Sequence, residues 1–118
     1  MAKILIISTN AKNDPEKSTI PWVVGNAALV FDHEVQVFLQ GQAVNMVRKG
    51  YLDGFQFAPF DPVAKLIDSF REQGGKIYVC VPCMKAHSLD EDDLLPECEP
   101  ASAGHLVQEA LDATVFSY

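Results

Sequence analysis

The chain has 118 residues, of which 48% are apolar, and a formal net charge of −7 from nine basic and sixteen acidic side chains. One domain of this length buries an adequate core without disulfides or metal, and the basic residues are too few and too scattered for a nucleic-acid or anionic-membrane surface. No apolar run approaches the roughly 20 residues that span a bilayer.

Met1-Ala2-Lys3 passes straight into an apolar run with no small-residue cleavage site, so no secretory signal is read. Three cysteines are an odd number, and two of them lie close together. A disulfide framework is not expected, and a reducing cytoplasm is.

Residues 3–8, rich in Ile, predict a strand buried on both faces, as in a parallel sheet covered by helices. Residues 9–18 are polar and contain Pro15, which predicts a loop at the sheet edge where ligands bind in open α/β folds. The loop lacks the glycine spacing of a phosphate cradle. Ser18 or Thr19 is expected to cap the next helix, with Pro21 in its first turn and Ile20, Val23, Val24, Ala27, Ala28 and Phe31 along its apolar stripe. Trp22 falls beside that stripe, as a core or interface residue.

Alternation of Val35, Val37 and Leu39 with polar and aromatic neighbours predicts a second strand near 34–40, ended by Gly41. Val44, Val47 and Tyr51 predict a short helix over about 42–51. Residues 52–60 carry three Phe in a loop, which either pack beneath it or form an interface. Asp61-Pro62 reads as a helix start, Val63, Leu66, Ile67 and Phe70 as its stripe, and Gly74-Gly75 as its end. The run 76–81 is the third strand. Residues 88–96 form an acidic, solvated loop, 97–101 a short fourth strand, Ser102 the cap of a last helix, and 114–118 a closing strand. Alternating strands and helices over a single 1–118 domain predict a three-layer α/β/α sandwich. Its sheet is mostly parallel, with about five strands.

Cys80 closes the third strand and Cys83 follows a Pro, where a helical turn begins. Backbone N–H groups at a helix start stabilise a thiolate and lower its pKa, so these are the two candidate catalytic thiols. Equally, Cys80 is a small apolar residue suited to filling a strand core. The Cys80-Val81-Pro82-Cys83 spacing also matches a redox pair, although its place after the third strand does not suit a thioredoxin fold. Cys80, Cys83, His87 and Cys98 number enough for a zinc site, but their spacing is irregular, and neither a metal nor a cofactor is expected. His87 and His105 are candidate acid/base partners of a thiol, without a carboxylate at a telling spacing.

The arrangement resembles the DsrE/DsrF-like family, which includes TusD-type sulfur-relay proteins. The resemblance rests on the opening strand Lys3–Ser8, the polar loop before an Ala-rich helix, and Glu34-Val35-Gln36-Val37-Phe38-Leu39. It continues through Gly74-Gly75-Lys76-Ile77-Tyr78-Val79-Cys80, Met84-Lys85-Ala86-His87-Ser88-Leu89 and the segment His105 to Ala113. Many relatives carry Ala-Arg-Gly where this chain has Ala86-His87-Ser88. The resemblance implies a persulfide on Cys80, an assisting or resolving role for Cys83, and a homotrimer or homohexamer that exchanges sulfur with donor and acceptor proteins. The alternatives are a thiol-disulfide redox protein using Cys80 and Cys83, or a non-catalytic oligomeric binding protein.

Overall fold

The computed structural model describes residues 1–118. Five strands, β1 (Lys3–Ser8), β2 (Glu34–Leu39), β3 (Lys76–Cys80), β4 (Cys98–Ala101) and β5 (Thr114–Ser117), form one sheet in the order β4-β3-β2-β1-β5. Every neighbouring pair is parallel. The connections are α1 (Pro15–Val30), α2 (Val63–Glu72), α3 (Val81–Ala86) and α4 (Ala103–Ala110), with a 3-10 helix at Gly41–Val47 after β2.

The strand order dictates which face each long helix covers. From β1 to β3 the chain steps across the sheet in one direction, and right-handed crossovers place α1 and α2 on the same face. From β4 to β5 it steps back past the other three strands, so α4 must lie on the opposite face. Side-chain contacts agree. On the first face Trp22 of α1 meets Phe70 of α2 edge-on, with ring centroids 5.5 Å apart. On the second, α4 runs beneath three strands in turn. His105 lies 4.5 Å from the Tyr78 ring of β3 and 6.4 Å from the Phe38 ring of β2. One turn on, Glu109 accepts from Gln36 of β2 and pairs with Lys3 of β1, whose ammonium also reaches Asp112.

Central position explains the burial of β2. Val35, Gln36, Val37, Phe38 and Leu39 are all buried, as the predicted three-layer sandwich requires of an interior strand. A strand flanked on both edges and covered on both faces has no solvent side.

Helix α1 starts earlier than its sequence suggests. Asp14 is the N-cap, accepting from the Lys17 N–H at 3.1 Å, and Pro15 takes the first turn. Ser18 and Thr19 lie inside the helix, buried, and their hydroxyls donate back to the Pro15 carbonyl at 3.0 and 2.7 Å. Pro21 is therefore interior. The fully buried face carries Ser18, Thr19, Pro21, Trp22 and Gly25; of the expected aliphatic stripe, Val24 and Ala28 pack half-buried against the core, whereas Ala27 is exposed and Phe31 is 74% exposed. Small residues let the helix sit close, and Trp22 fills the core.

Other expectations shift less. The segment after β2 is a 3-10 helix ending at Val47, short of the helix expected to reach Tyr51. Helix α2 has no side-chain cap, and Asp61 instead lies 3.9 Å from Lys65. Phe55, Phe57 and Phe60 are half-buried, and Phe57 and Phe60 stack on each other. The acidic loop is more than solvated. Asp90 and Asp93 close a capping box, Leu89 and Leu94 are buried, and Leu94 bridges to Arg48. No helix is long and apolar enough to cross a membrane.

Candidate functional site: a thiol pair at a strand end

Lys76-Ile77-Tyr78-Val79-Cys80 is extended because β-branched and aromatic residues fit a pleated, covered strand. Pro82 ends that run: it lacks an N–H for the ladder, and its fixed φ suits the first turn of a helix. Cys80 is thus both the last residue of β3 and the N-cap of α3. One helical turn brings Cys83 back over it. The Cys83 Sγ donates to the Cys80 Sγ at 2.8 Å, and both cysteines are free thiols.

The second half of the site is held from outside. Arg48 donates to the His87 carbonyl at the end of α3, at 2.9 Å. Lys49 donates through its backbone N–H to the Asp93 carbonyl and through Nζ to the Asp92 carbonyl. The segment following the 3-10 helix thereby ties down both α3 and the acidic loop. A mixed polar and apolar depression of about 300 Å³ opens beside α3, with Val81, Met84, Leu89 and Pro100 among its lining residues. A larger cleft, about 590 Å³, lies between α2 and the loop before β4 and is lined by Asp68, Arg71, Glu72, Pro96 and Glu97. Its greater size carries no functional weight, because none of its lining side chains is a thiol or another ready nucleophile.

Cys80 is 7% exposed, whereas Cys83 is half-buried. The expected lowering of the Cys80 pKa does not occur. Burial pushes the thiol above its ordinary range, and the hydrogen bond shared with Cys83 adds to the rise. The Cys83 N–H pulls the other way, but no capping hydrogen bond closes onto the sulfur, so the opposing effect loses.

The remaining sequence candidates lie apart. Cys98 pairs with Ile77 at the start of β4, while Cys80 pairs with Ala101 at its end, so the strand length separates them. Burial pushes the Cys98 thiol up to about 11, against the pull of Arg71. The four-ligand zinc arrangement is not assembled, and no three His, Cys, Asp or Glu side chains gather as metal ligands would. His87 caps the end of α3 through its backbone, and no hydrogen bond joins its ring to either sulfur. His105 does have a carboxylate neighbour, Glu109 at 3.7 Å, one helical turn away and invisible as a signal among ordinary surface charges. The polar loop after β1 is tied to the other end of the chain. The Thr9 N–H and hydroxyl both donate to the Tyr118 carbonyl, across the point where strand order reverses.

Two proteins from archaea are similar in sequence. Protein MK0008 of Methanopyrus kandleri is 28% identical over 104 residues, covering 88% of this chain and 83% of that protein. Protein MJ0760 of Methanocaldococcus jannaschii is 25% identical over 101 residues, which is 86% of this chain but 37% of that longer protein. Among solved structures, the ychN protein of E. coli superposes over the whole of both chains with a TM-score of 0.85 at 18% identity. MTH1491 from Methanobacterium thermoautotrophicum does so with a TM-score of 0.71 at 16% identity. The two solved structures share the fold, and a family model accounts for the sequence from residue 2 to 117: the chain belongs to the DsrE/DsrF-like family.

Proposed function

We propose that the protein carries sulfur as a persulfide on Cys80. The observation that carries this reading is the position of the Cys80 sulfur, at the C-terminal end of β3 and 2.8 Å from a second thiol, in a chain of this family. In the loading step the Cys80 thiolate attacks the outer sulfur of a donor persulfide. The donor's S–S bond breaks, the donor leaves as a thiolate, and Cys80 holds the transferred sulfur. An acceptor thiolate then attacks that outer sulfur and releases Cys80 as a thiolate. The raised pKa limits the ionised fraction near neutrality, but a thiolate of higher pKa is the stronger nucleophile once formed. Partial burial shields the carried sulfur from adventitious thiols.

Self-association belongs to the same reading, as a homotrimer or homohexamer. Val107 of α4, Leu111 just past its end, and Val115 and Phe116 of β5 are exposed at 57%, 75%, 43% and 39%. These elements adjoin in sequence and leave large apolar side chains exposed, the kind of surface that self-association covers. Donor and acceptor are proteins bearing thiols, and a reducing cytoplasm suits a pair of free cysteines.

Intact-mass spectrometry after incubation with a persulfide donor tests the reading. An adduct of one sulfur atom forms on Cys83→Ser, is removed by reductant, and is missing from Cys80→Ser. Loading of Cys80→Ser to the same extent as Cys83→Ser would refute it.

A further inference from the structure

We infer that Cys83 discharges the Cys80 persulfide as sulfide, making the protein a persulfide reductase when no acceptor is docked. The inference rests on Cys80 being the carrier. Its basis is the contact between the two sulfurs: Cys83 Sγ lies 2.8 Å from Cys80 Sγ, compared with about 2.05 Å in a disulfide. The backbone already holds the pair at near-bonding separation, since Cys83 follows Cys80 by a single turn at the start of α3. No rearrangement of the strand end is required.

The difference in exposure favours the same direction. Cys80 is buried to 7% exposure, and an acceptor must bring its own thiol into the turn to reach a sulfur held there. Cys83 is already inside. An intramolecular thiol competes at an effective concentration that no free thiol matches.

The step balances as follows. The Cys83 thiolate attacks Cys80 Sγ, the inner sulfur of the persulfide. The bond from that sulfur to the outer sulfur breaks, and hydrosulfide leaves with the electron pair. The proton lost by Cys83 goes to solvent. The outer sulfur is reduced to sulfide, and the two cysteines are oxidised to a Cys80–Cys83 disulfide. A dithiol reductant then returns the pair to its free form, itself becoming a disulfide.

The test follows the mass of the protein and the sulfide released, after loading with a persulfide donor and removal of that donor, without reductant. Wild type is expected to release one sulfide per chain and finish two hydrogens lighter than the reduced protein. Cys83→Ser is expected to load one sulfur atom and keep it, with sulfide release at least tenfold slower. Adding a dithiol is expected to restore the free thiols of wild type and permit a second round. Sulfide release by Cys83→Ser at the wild-type rate overturns the inference while leaving Cys80 as carrier. So does a wild-type product that keeps the added sulfur. Absence of any adduct on Cys83→Ser, with no sulfide from wild type, overturns the carrier reading and the discharge step together. Circular dichroism of Cys83→Ser before loading establishes that the variant is folded.

Discussion

The ring of Phe70 occupies the space where Gly75 would carry a side chain. A Cβ built on Gly75 would overlap the Phe70 ring, and one on Gly25 falls 2.8 Å from the ring's other edge. Phe70 is fully buried between these two glycines, with Trp22 against it. Neither glycine has a positive φ, so the requirement is one of space. The adjacent Gly74 is different: there φ is +91°, with open space around the missing Cβ. Gly75→Ala is expected to destabilise the protein by about 1–3 kcal/mol through overpacking, read as a lower urea midpoint at unchanged slope. Phe70→Leu should relieve the clash, so the double variant loses less than the sum of the two singles.

Lys3 ties the amino end of β1 to the end of α4, and its ion pairs give stability a pH dependence with two limbs. The Glu109 and Asp112 carboxyls are held below their ordinary values of 4.5 and 3.8, chiefly by hydrogen bonds from Lys3. A depressed carboxyl stabilises the fold above its unfolded pKa and ceases to do so as pH falls through the folded value. The Lys3 ammonium is raised above its ordinary 10.5 by Asp112 and then Glu109. That contribution is complete below 10.5 and disappears as pH rises through the raised value. Lys3→Met is expected to flatten both limbs in urea melts run across the pH range. Because the groups are close to solvent, added salt should shrink the wild-type effect.

The three thiols should react in a fixed order with a small alkylating reagent near neutral pH. Cys83, the more accessible of the pair, is modified first. Cys80 follows, its rate climbing with pH beyond the usual thiol range because burial and Cys83 hold it protonated. Cys98, pushed up to about 11, is last. Cys83→Ser should shift the Cys80 rate profile to lower pH while leaving it above that of a free thiol, since the burial contribution persists. Peptide-resolved alkylation rates measure this. A Cys80 that labels fastest at neutral pH would contradict the assigned environment.

If α4 and β5 form the seam between subunits, charges placed on them should separate the assembly without unfolding it. Val107→Glu combined with Leu111→Glu is expected to yield monomers in sedimentation analysis, with the far-UV spectrum retained. Both positions are well exposed, and α4 is anchored separately through Glu109 and Ser102.

Much of the architecture was legible because the signals were local. Ser102 caps α4 by accepting from the His105 N–H, and the short strand before it forms as the Cys98–Ala101 edge. Cys80 and Cys83 were legible as a pair because one helical turn fixes their separation. What escaped the sequence was set by distant partners. The small-residue face of α1 reads as a poor helix surface until Phe70 is seated against Gly25. Burial of Gln36 follows from α4 passing beneath β2, a contact 73 residues away. The pKa of Cys80 was misread because the helix-start effect was considered alone, and desolvation by the surrounding core outweighs it.

Where the carried sulfur resides is the most direct question, and tandem mass spectrometry of the tryptic peptide Ile77–Lys85 answers it. Cleavage ahead of Pro82 divides that peptide between its two cysteines. After loading from a persulfide donor and trapping with an alkylating reagent, Cys83→Ser is predicted to carry the additional sulfur on the fragment containing Cys80. An additional sulfur found in wild type only on the Cys83 fragment, with none on Cys80 in either protein, would contradict the account.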